Sequence, residues 1–106
     1  MCGILGGINN KEFNYPDGLK SILHRGPDYQ GCEKIDNFVF CHSRLSILDL
    51  DERSHQPFSK GNHLLIFNGE IYNFLELKII LEERGFKFET SSDTEVLYNW
   101  LIFKGI

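Results

Sequence analysis

A cysteine stands at position 2 of this chain, in the opening MCGILGG. Once Met1 is trimmed, Cys2 becomes the first residue and carries a free α-amine beside its own thiol. The thiolate is the nucleophilic form of cysteine, and a free thiol, with a pKa near ~8.5, gains from an adjacent base. An α-amine titrates near ~7.7–8.0 and can serve as that base. The plainer alternative is an inert strand residue, and position alone favours it.

Three other groups bear on the same chemistry. In FNGE, 67–70, the Asn68 amide and the Gly69 backbone N–H can converge on one point, as an oxyanion hole for acyl transfer requires. By itself, Asn-Gly is the commonest turn dipeptide. Arg44 sits in a strand pattern beside Leu45 and Ile47. A guanidinium there is rarely buried unless paired, and it can clamp a carboxylate through two parallel bonds. An exposed strand face or a structural salt bridge explains it equally well. Asp93 opens a helix, where an acidic residue suits the dipole, and it is also a counter-ion for a substrate ammonium. Together these groups supply a nucleophile with its base, an oxyanion pair, a cation for a carboxylate and an anion for an amine. That set describes hydrolysis of an amino-acid side-chain amide.

Several elements must position these groups. CGILGGI reads as a buried strand whose glycines admit close neighbours. PDGLKSILHRG reads as a short helix stopped by Gly26, and RGPDYQG as turn chemistry. NFVFCHSRLSIL reads as a strand. Phe38, Phe40, His42, Arg44 and Ser46 share one face; Val39, Cys41, Ser43, Leu45 and Ile47 share the other. The polar stretch from Asp49 to Asn62 reads as a loop, HLLIFNGEIY as a strand covered on both faces, and FKFET as a short strand. Two helices follow the capping-box grammar. Asn73 with Glu76 opens the one closed by Gly85, and Ser92 with Glu95 opens the one closed by Gly105. Leu77, Ile80 and Leu81 form the stripe of the first; Val96, Leu97, Trp100 and Leu101 form that of the second. The order is that of an α/β layered domain. The chain stops just after a helix with strands still to be covered, so it is expected to be the front of a longer domain.

Composition narrows the classes. The 106 residues suit one small domain, and a net charge of −4 without a basic cluster argues against nucleic acid. No apolar run spans a bilayer and no signal peptide is evident, so the expected compartment is the cytoplasm and no membrane partner is expected. The three cysteines, Cys2, Cys32 and Cys41, are odd in number and widely spaced, so they are expected to be free thiols. Cys41, His42, His24, His55 and His63 lack paired metal-ligand spacing, so no metal is expected.

Six short motifs occur in order: MCGI, HRGPD (24–28), H-x-RLSI-x-D (42–49), HQP (55–57), NGEIYN (68–73) and SDTEV (92–96). Each is weak alone. As a set, running from Met1 to about Lys104, they resemble the N-terminal glutaminase domain of glutamine-hydrolysing asparagine synthetases. That domain is a class II glutamine amidotransferase of the N-terminal nucleophile hydrolases. The resemblance implies an α+β fold, a partial αββα sandwich of stacked antiparallel sheets with helices outside. Residues 1–106 would be the N-terminal portion of that amidotransferase domain.

The resemblance also implies roles. Cys2 attacks the glutamine side-chain amide to give a γ-glutamyl thioester, with its α-amine moving the proton. Asn68 and Gly69 form the oxyanion hole. Arg44 holds the substrate α-carboxylate, and Glu70 and Asp93 its α-ammonium end. Backbone at Leu45 and Ile47 contacts substrate, and Arg25 orders the site near Cys2. Glutamine is the implied ligand and a synthetase domain the implied partner. By the resemblance no cofactor is expected in this fragment; ATP and Mg are expected only for the synthetase domain, which would convert aspartate to asparagine. Open sheet edges also make a homodimer a candidate. Relatives aminate sugars in polysaccharide assembly or close β-lactam-like rings, and a non-catalytic glutamine-binding fragment is the alternative outside enzymes. An incomplete scaffold implies weak glutaminase activity for this chain alone, or none.

Overall fold

The computed structural model describes residues 2–9, 11–46 and 52–106. They fall in two units, one of Met1–Ile47 and His55–Gly69, the other of Leu48–Ser54 and Glu70–Ile106. Helices are combined with antiparallel sheets, an α+β arrangement.

In the first unit, β1 (Gly3–Ile8), β2 (Tyr29–Ile35) and β3 (Phe38–Arg44) form a sheet of order β1-β3-β2. Both pairings are antiparallel, with Gly3 opposite Ser43 and Tyr29 opposite Arg44. The β2–β3 hairpin turns at Asp36-Asn37, with Asp36 at φ 50°, a conformation Asx side chains tolerate better than most. Helix α1 (Tyr15–Ser21) is capped by Asn14, whose side chain accepts the Asp17 N–H. Tyr15 and Leu19 pack with Val39 and Cys41, and Leu5 and Ile22 join them. The face of β3 carrying Val39 and Cys41 is therefore the core face. Each such aliphatic side chain contributes about 1.5–3 kcal/mol on burial. A turn of 3₁₀ helix (Leu23–Arg25) follows α1. A second hairpin joins β4 (Phe58–Lys60) to β5 (His63–Leu65) through Gly61, at φ 59°.

In the second unit, a 3₁₀ turn (Glu52–Ser54) precedes α2 (Phe74–Glu83) and α3 (Asp93–Lys104). Helix α2 ends in a Schellman motif, with Phe86 N–H bonded to Leu81 O and Gly85 N–H to Glu82 O. Helix α3 begins at Ser92, whose Oγ accepts the Glu95 N–H at 3.3 Å, and ends at Gly105 with φ 94°.

Several expectations are corrected. Cys32 and Cys41 are joined in a disulfide, leaving Cys2 the free cysteine among the described residues. The β2–β3 register sets Cys32 directly opposite Cys41, with Cα atoms 4.1 Å apart; spacing along the chain does not reveal that. Tyr29 begins a strand rather than continuing a turn, and β4 lies inside the expected loop. The strand expected over 63–72 stops at Leu65. Residues 86–90 form no strand, because their N–H groups are bonded elsewhere: Phe86 to Leu81 O, and Glu89 and Thr90 to the Glu95 carboxylate. Asn73 precedes α2 without a side-chain cap bond. Of the expected stripes, Leu81 and Val96 are buried, while Ile80 is 40% exposed and Trp100 only half-buried.

Candidate active site

Strand β3 is the frame. Its register with β1 pairs Ile4 with His42, and strand alternation carries Cys2 and Arg44 onto the same face. Cys2 is half-buried. Its Sγ accepts the Leu45 N–H at 3.3 Å and also lies 3.7 Å from the Leu45 carbonyl. Arg44 is buried at the end of β3, and Leu45 beside it is half-buried.

The segment after α1 is bonded onto the same strand end. Ser43 Oγ donates to Gly26 O at 2.7 Å, Asp28 N–H donates to Arg44 O at 3.0 Å, and Ser46 N–H donates to the Asp28 carboxylate at 2.7 Å. Arg25 packs against Gly3, where an added Cβ would lie 3.2 Å from its own Cβ. Arg25 thus sits against the residue that follows Cys2 in the chain.

Asn68 and Gly69 are exposed and follow Phe67. Phe67 is held at both backbone groups. Its N–H donates to Gln56 Oε1 at 2.6 Å, and its carbonyl lies 3.2 Å from His42 Nε2. A carbonyl only accepts, so Nε2 carries the proton. The other ring nitrogen, Nδ1, is buried with no hydrogen-bond partner among the described residues. Burial is the main cause lowering the His42 pKa from 6.5 to about 4; the Phe67 carbonyl opposes this and the Arg44 charge adds to it. The ring is therefore neutral at pH 7.

Glu70 and Asp93 belong to the second unit. Glu70 is exposed. Asp93 is buried at the start of α3 and accepts the Ile71 N–H at 3.0 Å. Ile47, expected to contact substrate through its backbone, lies outside the described residues, as do Met1 and Asp49.

The structure therefore brings Cys2, Arg44 and Leu45 to one strand end, with Arg25 beside Gly3. It ties the residue before Asn68-Gly69 to the face of β3 that holds Arg44. His42 lies in H-x-RLSI-x-D and Gln56 in HQP, and residue type alone points to no part for either in this chemistry. The available signal was a histidine two positions before Arg44 on its face, and a glutamine just ahead of Pro57. Among the described residues no group of three or more His, Cys, Asp or Glu is placed to hold a metal ion. Two candidate ligands are otherwise engaged, Cys41 in the disulfide and His42 with Phe67.

Residues 1–105 match the family model of the glutamine amidotransferase domain, and the chain belongs to that family. It is 41% identical to asparagine synthetase [glutamine-hydrolyzing] 1 of Bacillus subtilis, over 92% of this chain and 17% of that protein. It is 40% identical to asparagine synthetase B [glutamine-hydrolyzing] of Escherichia coli, over 92% of this chain and 19% of that protein. A putative asparagine synthetase [glutamine-hydrolyzing] 2 of Methanocaldococcus jannaschii is 39% identical, over 97% of this chain and 25% of that protein. The chain thus spans a quarter or less of the length of these relatives. Among the described residues, no helix is long and apolar enough to cross a membrane.

Proposed function

We propose that this chain hydrolyses the side-chain amide of glutamine, with Cys2 as nucleophile once Met1 is removed. The observation that carries this is Cys2 on one sheet face with buried Arg44, its sulfur facing the Leu45 N–H. The fold is read as part of an αββα sandwich of the N-terminal nucleophile hydrolases, a reading supported by an antiparallel sheet with α1 against its core face.

In the proposed reaction the α-amine takes the thiol proton and sulfur attacks the amide carbon. Asn68 and Gly69 donate to the oxyanion; a single such donor is worth about 2.7–4 kcal/mol in the transition state. The amine returns the proton to the leaving nitrogen, and ammonia departs from a γ-glutamyl thioester. Water attacks the thioester, its proton passing through the amine to sulfur, and glutamate leaves. Arg44 holds the substrate carboxylate, Leu45 and Ile47 offer backbone contacts, and Arg25 orders the Cys2 end. Ammonia would pass to a synthetase domain that aminates aspartate.

The test reads one acylation rather than turnover. Chain lacking Met1 is mixed with glutamine, quenched in acid and weighed intact. A mass gain of one γ-glutamyl group on Cys2, absent in Cys2→Ala, is expected. No gain, or a gain that survives Cys2→Ala, overturns the proposal.

A further inference from the structure

The oxyanion role proposed for Asn68 and Gly69 meets a physical difficulty. Both residues are exposed and follow the end of β5 without belonging to a strand. An oxyanion hole works by donors fixed before reaction, and a misplacement of about 1 Å can cost roughly 100-fold. Something outside the sheet ladder must fix this loop.

Phe67 meets that requirement. Its N–H is taken by the side chain of Gln56 at 2.6 Å, and its carbonyl by the ring of His42 at 3.2 Å. Both side chains are buried, Gln56 at 6% exposure and His42 at 0%. His42 Nδ1 gains no hydrogen bond in that position; the burial of an unsatisfied polar atom is costly. That cost places the Nε2–Phe67 bond among the reasons for having histidine there. The Phe67 ring also lies against Gly69, where an added Cβ would stand 2.9 Å from it. Gln56 is braced in turn. Its neighbour His55 stacks on Tyr29 of β2 with ring centroids 3.6 Å apart. The Gln56 carbonyl faces Gly31 of β2, where a Cβ would come within 2.6 Å. The loop is thus clamped from β3 through His42 and from β2 through Gln56.

From this geometry we infer that His42 and Gln56 are positioning residues, gripping Phe67 from both sides so that Asn68 and Gly69 stay aimed at the Cys2 face. The inference rests on the proposed oxyanion role of that pair.

The test uses chain lacking Met1 as wild type, Gln56→Leu and Gln56→Glu. Glutamate keeps an acceptor oxygen of similar reach; leucine does not. Two quantities are read: amide hydrogen exchange at residues 67–69, and Cys2 alkylation by a diazoketone analogue of glutamine. In wild type the Phe67 amide is expected to exchange at least tenfold more slowly than an unbonded loop amide, although it lies outside any strand. In Gln56→Leu its exchange rises at least tenfold while β1 and β3 keep their protection. The limiting alkylation rate falls about 10- to 100-fold, the half-saturating analogue concentration stays within about threefold, and Gln56→Glu restores the rate. A wild-type Phe67 amide that exchanges as freely as unbonded ones overturns the inference, whatever the variants do. So does a loss of protection spread across the sheet, or an alkylation rate that Gln56→Leu leaves unchanged. Wild type that fails to alkylate overturns the proposed function instead, while the exchange data still decide the clamp.

Discussion

His42 makes the stability of the first unit depend on pH in a way that one substitution isolates. The ring is fully buried, and its pKa falls from 6.5 to about 4, chiefly through burial. The folded state therefore binds a proton less readily than the unfolded chain. Stability from this group is complete above pH 6.5 and is lost as pH falls from 6.5 towards about 4. At about 1.4 kcal/mol per pH unit, the whole shift is on the order of 3 kcal/mol. The positive charge of Arg44 adds to the effect. Urea unfolding followed by circular dichroism, at steps from pH 7.5 to 4.5, reads the loss. His42→Gln keeps an N–H donor but does not titrate. It is expected to lose about 2–3 kcal/mol less than wild type over that range. Parallel losses in the two proteins would refute the reasoning. If the variant does not fold, the His42 ring is titrated directly by NMR; a midpoint near 6.5 refutes it equally.

Arg44→Lys keeps the charge but loses the planar fork, and is expected to raise the half-saturating concentration of a glutamine analogue about 10- to 100-fold, matching roughly 1.5–3 kcal/mol for a charged hydrogen bond. Alkylation kinetics at Cys2 measure it, and an unchanged concentration dependence counts against a substrate clamp. Ser92→Ala removes the acceptor of the Glu95 N–H at the start of α3 and is expected to cost about 1 kcal/mol, read from the urea midpoint; no shift would mean that the cap contributes nothing.

The parts legible in the sequence were those with strong local period or punctuation. The alternation in FVFCHSR gave β3 and its two faces, and the structure shows that the core uses the face of Val39 and Cys41. Ser92 and Gly105 marked both ends of α3. Strand β2, YQGCEKI, was not legible because it lacks an apolar alternation. It carries charge instead, at Glu33 and Lys34. The Cys32–Cys41 disulfide depends on cross-strand register, which spacing alone cannot supply. The apolar run after His63 looked like a long strand, but Phe67 bonds two side chains instead of a neighbouring strand. For the same reason the site was half visible. Cys2, Arg44, Asn68 and Asp93 suggest chemistry by residue type, whereas His42 and Gln56 stand out only when the fold brings Phe67 between them.

The central claim is that Cys2 acts as a nucleophile together with its own α-amine. Intact mass of the purified chain, before and after incubation with an electrophilic glutamine analogue, tests it most directly. Loss of one methionine and a single adduct mapped to Cys2 is the predicted result, with chain that retains Met1 left unlabelled. Equal labelling with and without Met1, or an adduct on Cys32 or Cys41 instead of Cys2, would contradict it.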